Sequence, residues 1–214
     1  KYSTLDALNK AWGTSANNWD ELRAPENMTD TAGEDLASFG YDFAKRYFEI
    51  VKSAIHKYDK NHLYLGCRFS GWAPESVARA SADVCDVVSY NIYSNRLNCE
   101  TFSALDAPII IGEFHFGALD RGMFHTGLVD AKTQQGRADR YTGYLLSAAD
   151  CPSLVGVAWF QYIDQAITGR CLDGENYNIG FVNVIDQPYS ELVDAARKVH
   201  SQIYNRHINS KSNR

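Results

Sequence analysis

The sequence lacks the marks of several common chemistries. No Lys/Arg cluster stands out among its 214 residues and the formal net charge is −5, so there is no electrostatic footprint for nucleic acid. The longest nearly apolar run, Ala107 to Gly112, is far too short to cross a bilayer, so no membrane partner is expected. There is no Gly-x-Ser-x-Gly elbow, no Walker loop, no Gly-x-Gly-x-x-Gly fingerprint and no His-Glu-x-x-His. No internal repeat recurs at a solenoid period. The five Cys are odd in number and form no Cys-x-x-Cys pair, which argues against both a zinc site and a disulfide framework. Cys67 and Cys85 lie in apolar surroundings and are expected to be small buried hydrophobes. Neither an initiating Met nor a signal peptide precedes Lys1, so an upstream segment is expected to have been removed or left out. No metal or cofactor is expected.

What is present is an ordinary globular balance, 45% hydrophobic and 22% charged, enough for one domain over residues 1–214. Aromatic residues at 13%, with thirteen Tyr and four Trp, suit a core plus a ring-binding cleft. The clearest element is a long helix from about Thr31 to Tyr58, where Leu36, Phe39, Phe43, Tyr47, Ile50 and Ala54 recur every three or four residues as one apolar stripe. Thr31 with Glu34 has the spacing of a capping box at its start. Further helices are predicted over Ala73–Ala82, Thr133–Ala149 and Tyr189–Tyr204. Strands are predicted over His62–Cys67, Asp86–Asn91, Pro108–Glu113 and Leu154–Gln161. Short strands without clean alternation, separated by helices, indicate an α/β fold with a parallel sheet buried on both faces. Arg68, Asn91 with Tyr93, Glu113 with His115, and Gln161 with Asp164 gather at the C-terminal strand ends, where parallel α/β folds place their chemistry. Four strands amount to half of a (β/α)8 barrel.

Glu113 closes an apolar strand behind Gly112, where an unpaired buried charge would cost several kcal/mol. His115, two positions on, shares its face if the strand continues. A Glu-x-His pair with no third ligand at a recognisable spacing favours a catalytic carboxylate over a metal site. Trp159 reads either as core or as a platform for a sugar face, with Gln161 beside it. Tyr90 and Asn91 carry the same ambiguity, and Arg68 either pairs with a carboxylate or caps its strand. Two long connections, Phe114 to Lys132 and Ile163 to Pro188, exceed the usual length for a compact domain, and the second is crowded with hydrogen-bonding side chains suited to a hydroxyl-rich ligand.

Several stretches resemble a known family. Lys1-Tyr-Ser-Thr-Leu-Asp-Ala-Leu-Asn-Lys-Ala-Trp-Gly-Thr14 is similar to the segment after the acid/base strand of clan A β-galactosidases and agarases. Ile110-Ile-Gly-Glu-Phe-His-Phe-Gly117, Trp159-Phe-Gln-Tyr-Ile-Asp-Gln165, Thr168-Gly-Arg170 and Gly174-Glu-Asn-Tyr-Asn-Ile-Gly-Phe181 resemble β-agarases of glycoside hydrolase family 50. The resemblance implies the C-terminal half, strands five to eight, of a (β/α)8 TIM barrel that cleaves β-1,4 linkages of agarose or neoagaro-oligosaccharides with retention. It maps the nucleophile onto Glu113. Tyr90 would hydrogen-bond that carboxylate, and Arg68, Asn91, His115, Trp159, Gln161 and Asp164 would line the sugar subsites. The acid/base Glu follows an Asn in this family. No Asn-Glu dipeptide occurs here, so that residue is expected upstream of Lys1, with the N-terminal half of the barrel as the missing partner and little activity in this chain alone. An extracellular or periplasmic location follows from the polymeric substrate. The rival expectations are a β-galactosidase of the same clan and a non-catalytic half barrel that binds oligosaccharide.

Overall fold

The structure, a computed structural model, describes residues 1–102 and 104–212. It divides into two compact units, Lys1–His62 with Pro74–Val84, and Leu63–Ala73 with Cys85–Arg214.

The first unit is helical. Thr4 caps α1 (Leu5–Trp12) by accepting the Ala7 N–H at 3.2 Å, a helix the sequence reading passed over. The long helix α2 (Asp30–His56) starts one turn-position earlier than expected because Thr29, not Thr31, takes the capping bond from Ala32 N–H. A third helix, α3, runs Glu75–Val84. Leu8, Trp12 and Ala32 form a small core. Trp12 Nε1 and the Tyr2 phenol both donate to Asp35 Oδ2, at 2.9 and 2.7 Å. The α2 stripe turned out otherwise than a core face: Ala44 and Phe48 are buried, whereas Phe39, Phe43, Tyr47 and Ile50 are each more than half exposed.

The second unit holds the sheet. Its strands β1 (Arg68–Ser70), β2 (Val88–Asn91), β3 (Ile109–Phe114) and β4 (Leu154–Trp159) pair in parallel in the order β1-β2-β3-β4. Helices α4 (Gln134–Ala149) and α5 (Ser190–Ser212) pack on each other. The first strand begins later than the expected His62–Cys67, because Gly66 takes a left-handed φ of 65° that interrupts extended backbone. The core is aromatic: Phe114 stacks on Tyr144 at 4.2 Å and meets Trp159 edge-on at 5.1 Å. Burial pushes the Tyr141 phenol up to about 12.

Two cysteine expectations are corrected. Cys99 and Cys151 form a disulfide, with Cα atoms 5.3 Å apart, and Cys67 is exposed, although Cys85 is buried as expected. Spacing alone carried no sign of the bridge because its halves meet only after α4 returns the chain 52 residues later.

Beneath the two long loops lies a polar network that sequence could not foretell. Arg137, fully buried, donates to Phe116 O (2.9 Å), Gln134 Oε1 (2.6 Å) and Gly180 O (2.6 Å). Burial lowers its pKa to about 10, still far above neutrality, so it remains charged at pH 7. Each donor meets an acceptor from a different segment, and this ties both loops to the start of α4.

Candidate active site

Three consecutive strands deliver side chains to one carboxylate. Arg68 from β1 forms an ion pair with Glu113 Oε1, and Tyr93, two residues past β2, donates its phenol to Glu113 Oε2 at 2.8 Å. Burial and then the Glu113 carboxylate push the Tyr93 phenol far up, so it stays protonated and acts as a donor.

The backbone explains how a residue on a buried strand reaches this position. Ile111 pairs with Val157 and Phe114 with Trp159, so three steps on β3 oppose two on β4. That irregularity keeps Ile111 and Phe114 on the same buried face and turns Gly112-Glu113 out of the alternation. A Cβ at Gly112 would lie 2.9 Å from Arg68 Cδ and 3.1 Å from Asn91 Oδ1. The absent side chain is the space through which Arg68 crosses to the carboxylate.

Asn91, at the end of β2, has its Oδ1 buried without a hydrogen-bond partner. An orphaned acceptor costs about 1–3 kcal/mol, and a hydroxyl donor entering beside Gly112 would relieve it. Its neighbour Ile92 is fixed from two sides, donating its N–H to Glu113 O at 3.1 Å and accepting the Tyr144 phenol at 2.8 Å.

Five of the expected contacts have other work. Tyr90 points to the opposite face of β2, with its ring against Phe69 and Phe102, and Tyr93 takes the bond to Glu113 in its place. The alternation Ser89-Asn91-Tyr93 carried that signal. His115 lies beyond β3 and is 1% exposed; its Nε2 accepts Leu128 N–H at 2.8 Å and its Nδ1 donates to Phe160 O at 3.0 Å. With both ring nitrogens engaged by backbone it has none left for a sugar, and burial drops its pKa to about 4. Its ring packs on Tyr93 at 4.6 Å. Trp159 packs among Phe114, Phe116, Tyr141 and Phe181 and donates its Nε1 to Ile179 O at 2.8 Å. Asp164 is buried, with its oxygens on Gly180 N–H, Asn178 Nδ2 and the Tyr189 phenol. Gln161 spends its amide on Ile163 O at 3.0 Å.

A polarised carboxylate flanked by a guanidinium, a phenol and an unpaired amide oxygen has the equipment for nucleophilic attack on a hydroxyl-rich substrate.

No known family profile matches the chain. Its sequence is 43% identical to Beta-agarase B of Vibrio sp. (strain JT0107) over 214 residues, which is 95% of this chain and 22% of that protein. It is likewise 43% identical to Beta-agarase A of the same organism over 217 residues, 96% of this chain and 22% of that protein. Among solved structures, an exo-β-agarase superposes with a TM-score of 0.90 at 45% identity, covering 96% of this chain and 29% of that one. The chain thus spans about a fifth of the length of the curated relatives it matches.

Proposed function

We propose that this chain, which over nearly its whole length is homologous to one segment of the family 50 β-agarases, is the nucleophile-bearing part of a retaining glycoside hydrolase that cleaves β-1,4-galactosidic linkages of agarose. The observation that carries the reading is the Arg68–Glu113–Tyr93 arrangement, with Glu113 near the C-terminal end of β3 and Tyr93 just past β2 in a parallel sheet. Retaining hydrolysis needs two carboxyl groups about 5–5.5 Å apart, one to attack the anomeric carbon and one to protonate the leaving oxygen. Glu113 takes the first role. Arg68 and Tyr93 fix the rotamer of its carboxylate, while Asn91 Oδ1 accepts a hydroxyl of the bound sugar. Attack forms a glycosyl-enzyme ester and expels the leaving sugar oxygen with a proton from the second carboxyl. Water then cleaves the ester, and the second carboxyl takes its proton back. That partner acid lies on a segment upstream of Lys1.

The four strands stand for strands five to eight of a (β/α)8 barrel. The parallel neighbour order, the outer edges of β1 and β4 left without strand partners among the described residues, and the uncovered apolar face of α2 support this. The first strands of the barrel would complete the sheet. An extracellular or periplasmic site of action agrees with a polymer too large to be imported and with the Cys99–Cys151 bridge.

The test is substitution of Glu113 in the full-length protein. Glu113→Gln is expected to abolish release of reducing ends from agarose, and azide is expected to restore turnover in Glu113→Gly by forming the azido sugar of inverted configuration. Undiminished turnover in Glu113→Gln would remove the nucleophile assignment.

A further inference from the structure

Tyr93 stands on a stretch, residues 92–98, that has left the sheet and runs to the 3-10 turn Cys99–Phe102 without regular structure of its own. Backbone of this kind is ordinarily the more mobile part of a fold, yet the phenol it carries meets Glu113 Oε2 at 2.8 Å. What holds the stretch is α4.

Arg140, Tyr144, Ser147 and Cys151 follow one another at steps of four, three and four, which sets them along one side of α4 and its end. Each is fastened to the Tyr93 stretch or to the turn that closes it. Arg140 donates to Asn95 Oδ1, the Tyr144 phenol donates to Ile92 O at 2.8 Å, and Ser147 Oγ accepts Leu97 N–H at 3.0 Å. Cys151 completes the row through its disulfide to Cys99. Apolar packing alone would bury such a segment. Directed hydrogen bonds and a covalent bridge also fix its register against the helix.

Tyr144 does more than the other three. It is fully buried, burial keeps its phenol protonated, and its ring stacks on Phe114 at 4.2 Å with planes 3° apart. Phe114 follows Glu113 in sequence and Ile92 precedes Tyr93, while Ile92 N–H donates to Glu113 O at 3.1 Å. The face of one ring thus touches the neighbour of the carboxylate, and its hydroxyl holds the neighbour of the phenol that serves that carboxylate. A rigid side chain sets the spacing of the two backbones.

We propose that Tyr144 is a positioning residue for the reaction. With the row along α4 it sets the Tyr93 phenol against Glu113, and it acts on turnover without touching substrate. The proposal rests on the reading of Glu113 as nucleophile.

The test is a double-mutant cycle in the full-length protein, read as kcat and KM on an agarose-derived hexasaccharide. Tyr144→Phe keeps the ring on Phe114 and removes the bond to Ile92 O. It is expected to lower kcat about three- to tenfold, the worth of one hydrogen bond, with KM little changed. In a Tyr93→Phe background no phenol is left to position, and the same change is expected to cost less than about twofold. Equal losses in the two backgrounds mark a general structural role and would overturn the proposal, as would an unchanged kcat in Tyr144→Phe. Should Tyr144→Phe fail to fold, Asn95→Ala, at an exposed position, loosens the same stretch and carries the cycle instead, with the same coupling expected and additivity overturning it. Full turnover in Glu113→Gln would bring down the nucleophile reading and the positioning with it. Lost turnover in Glu113→Gln beside an additive cycle removes the positioning alone.

Discussion

At the scale of single residues, Glu113 is constrained by two groups that do different things. Arg68 supplies charge from a half-exposed side chain, and Tyr93 supplies direction from a half-buried ring. Tyr93→Phe keeps the ring and removes one hydrogen bond to a charged group, at about 1.5–3 kcal/mol. The expected result in the full-length protein is a roughly 10- to 150-fold fall in kcat/KM. His115 stands behind Tyr93 as a neutral bracket. Its pKa is about 4 in the fold against 6.5 unperturbed, so the unfolded chain takes up the proton first as pH falls. Its contribution is complete above about pH 6.5 and drains away towards pH 4, by up to about 3 kcal/mol. Urea unfolding across that range should show this loss in the native protein and a shallower slope in His115→Gln; parallel slopes would deny the bracket its role.

At the scale of elements, the chain's plan was legible and its departures from regularity were not. The helices α2, α4 and α5 and the strands β2, β3 and β4 lie where apolar periodicity and turn residues put them, because burial of a repeating face writes itself into sequence. Glu113 was legible as a polar group near the end of its strand, whereas Arg68, expected just past a strand over His62–Cys67, opens β1 instead. The bulge that aims Glu113 leaves no compositional trace, whereas the alternation Ser89-Asn91-Tyr93 already sets Tyr90 on the other face of β2. Glu-x-His looked like one functional face because the strand was assumed to run on, but β3 stops at Phe114 and His115 turns to the backbone of two loops. The α2 stripe shows the limit from the other side: its periodicity marks an apolar face without saying what covers it. The disulfide is a matter of long-range return. It closes a loop of 52 residues around β3 and α4, and loop-closure entropy puts its worth at about 2–4 kcal/mol. Cys99→Ser with Cys151→Ser is therefore expected to lower stability by that amount, measured by denaturant unfolding, with no effect from reductant on the double variant.

At the scale of the whole molecule, chemistry and completeness separate. The described residues hold the proposed nucleophile, Glu113, with its supports, while a retaining reaction needs a second carboxyl group. The relatives are between four and five times as long as this stretch, as its 22% share of them implies, and the proposed barrel draws its other strands and its acid from that remainder. The account therefore turns on whether the ester of the intermediate forms on Glu113. A 2-fluoro galactoside with a good leaving group, incubated with the full-length protein, slows the second step and traps the intermediate for peptide mass mapping. The expected result is a single fluorogalactosyl adduct on Glu113; an adduct on any other residue, or hydrolysis with inverted anomeric configuration and no adduct, would contradict it.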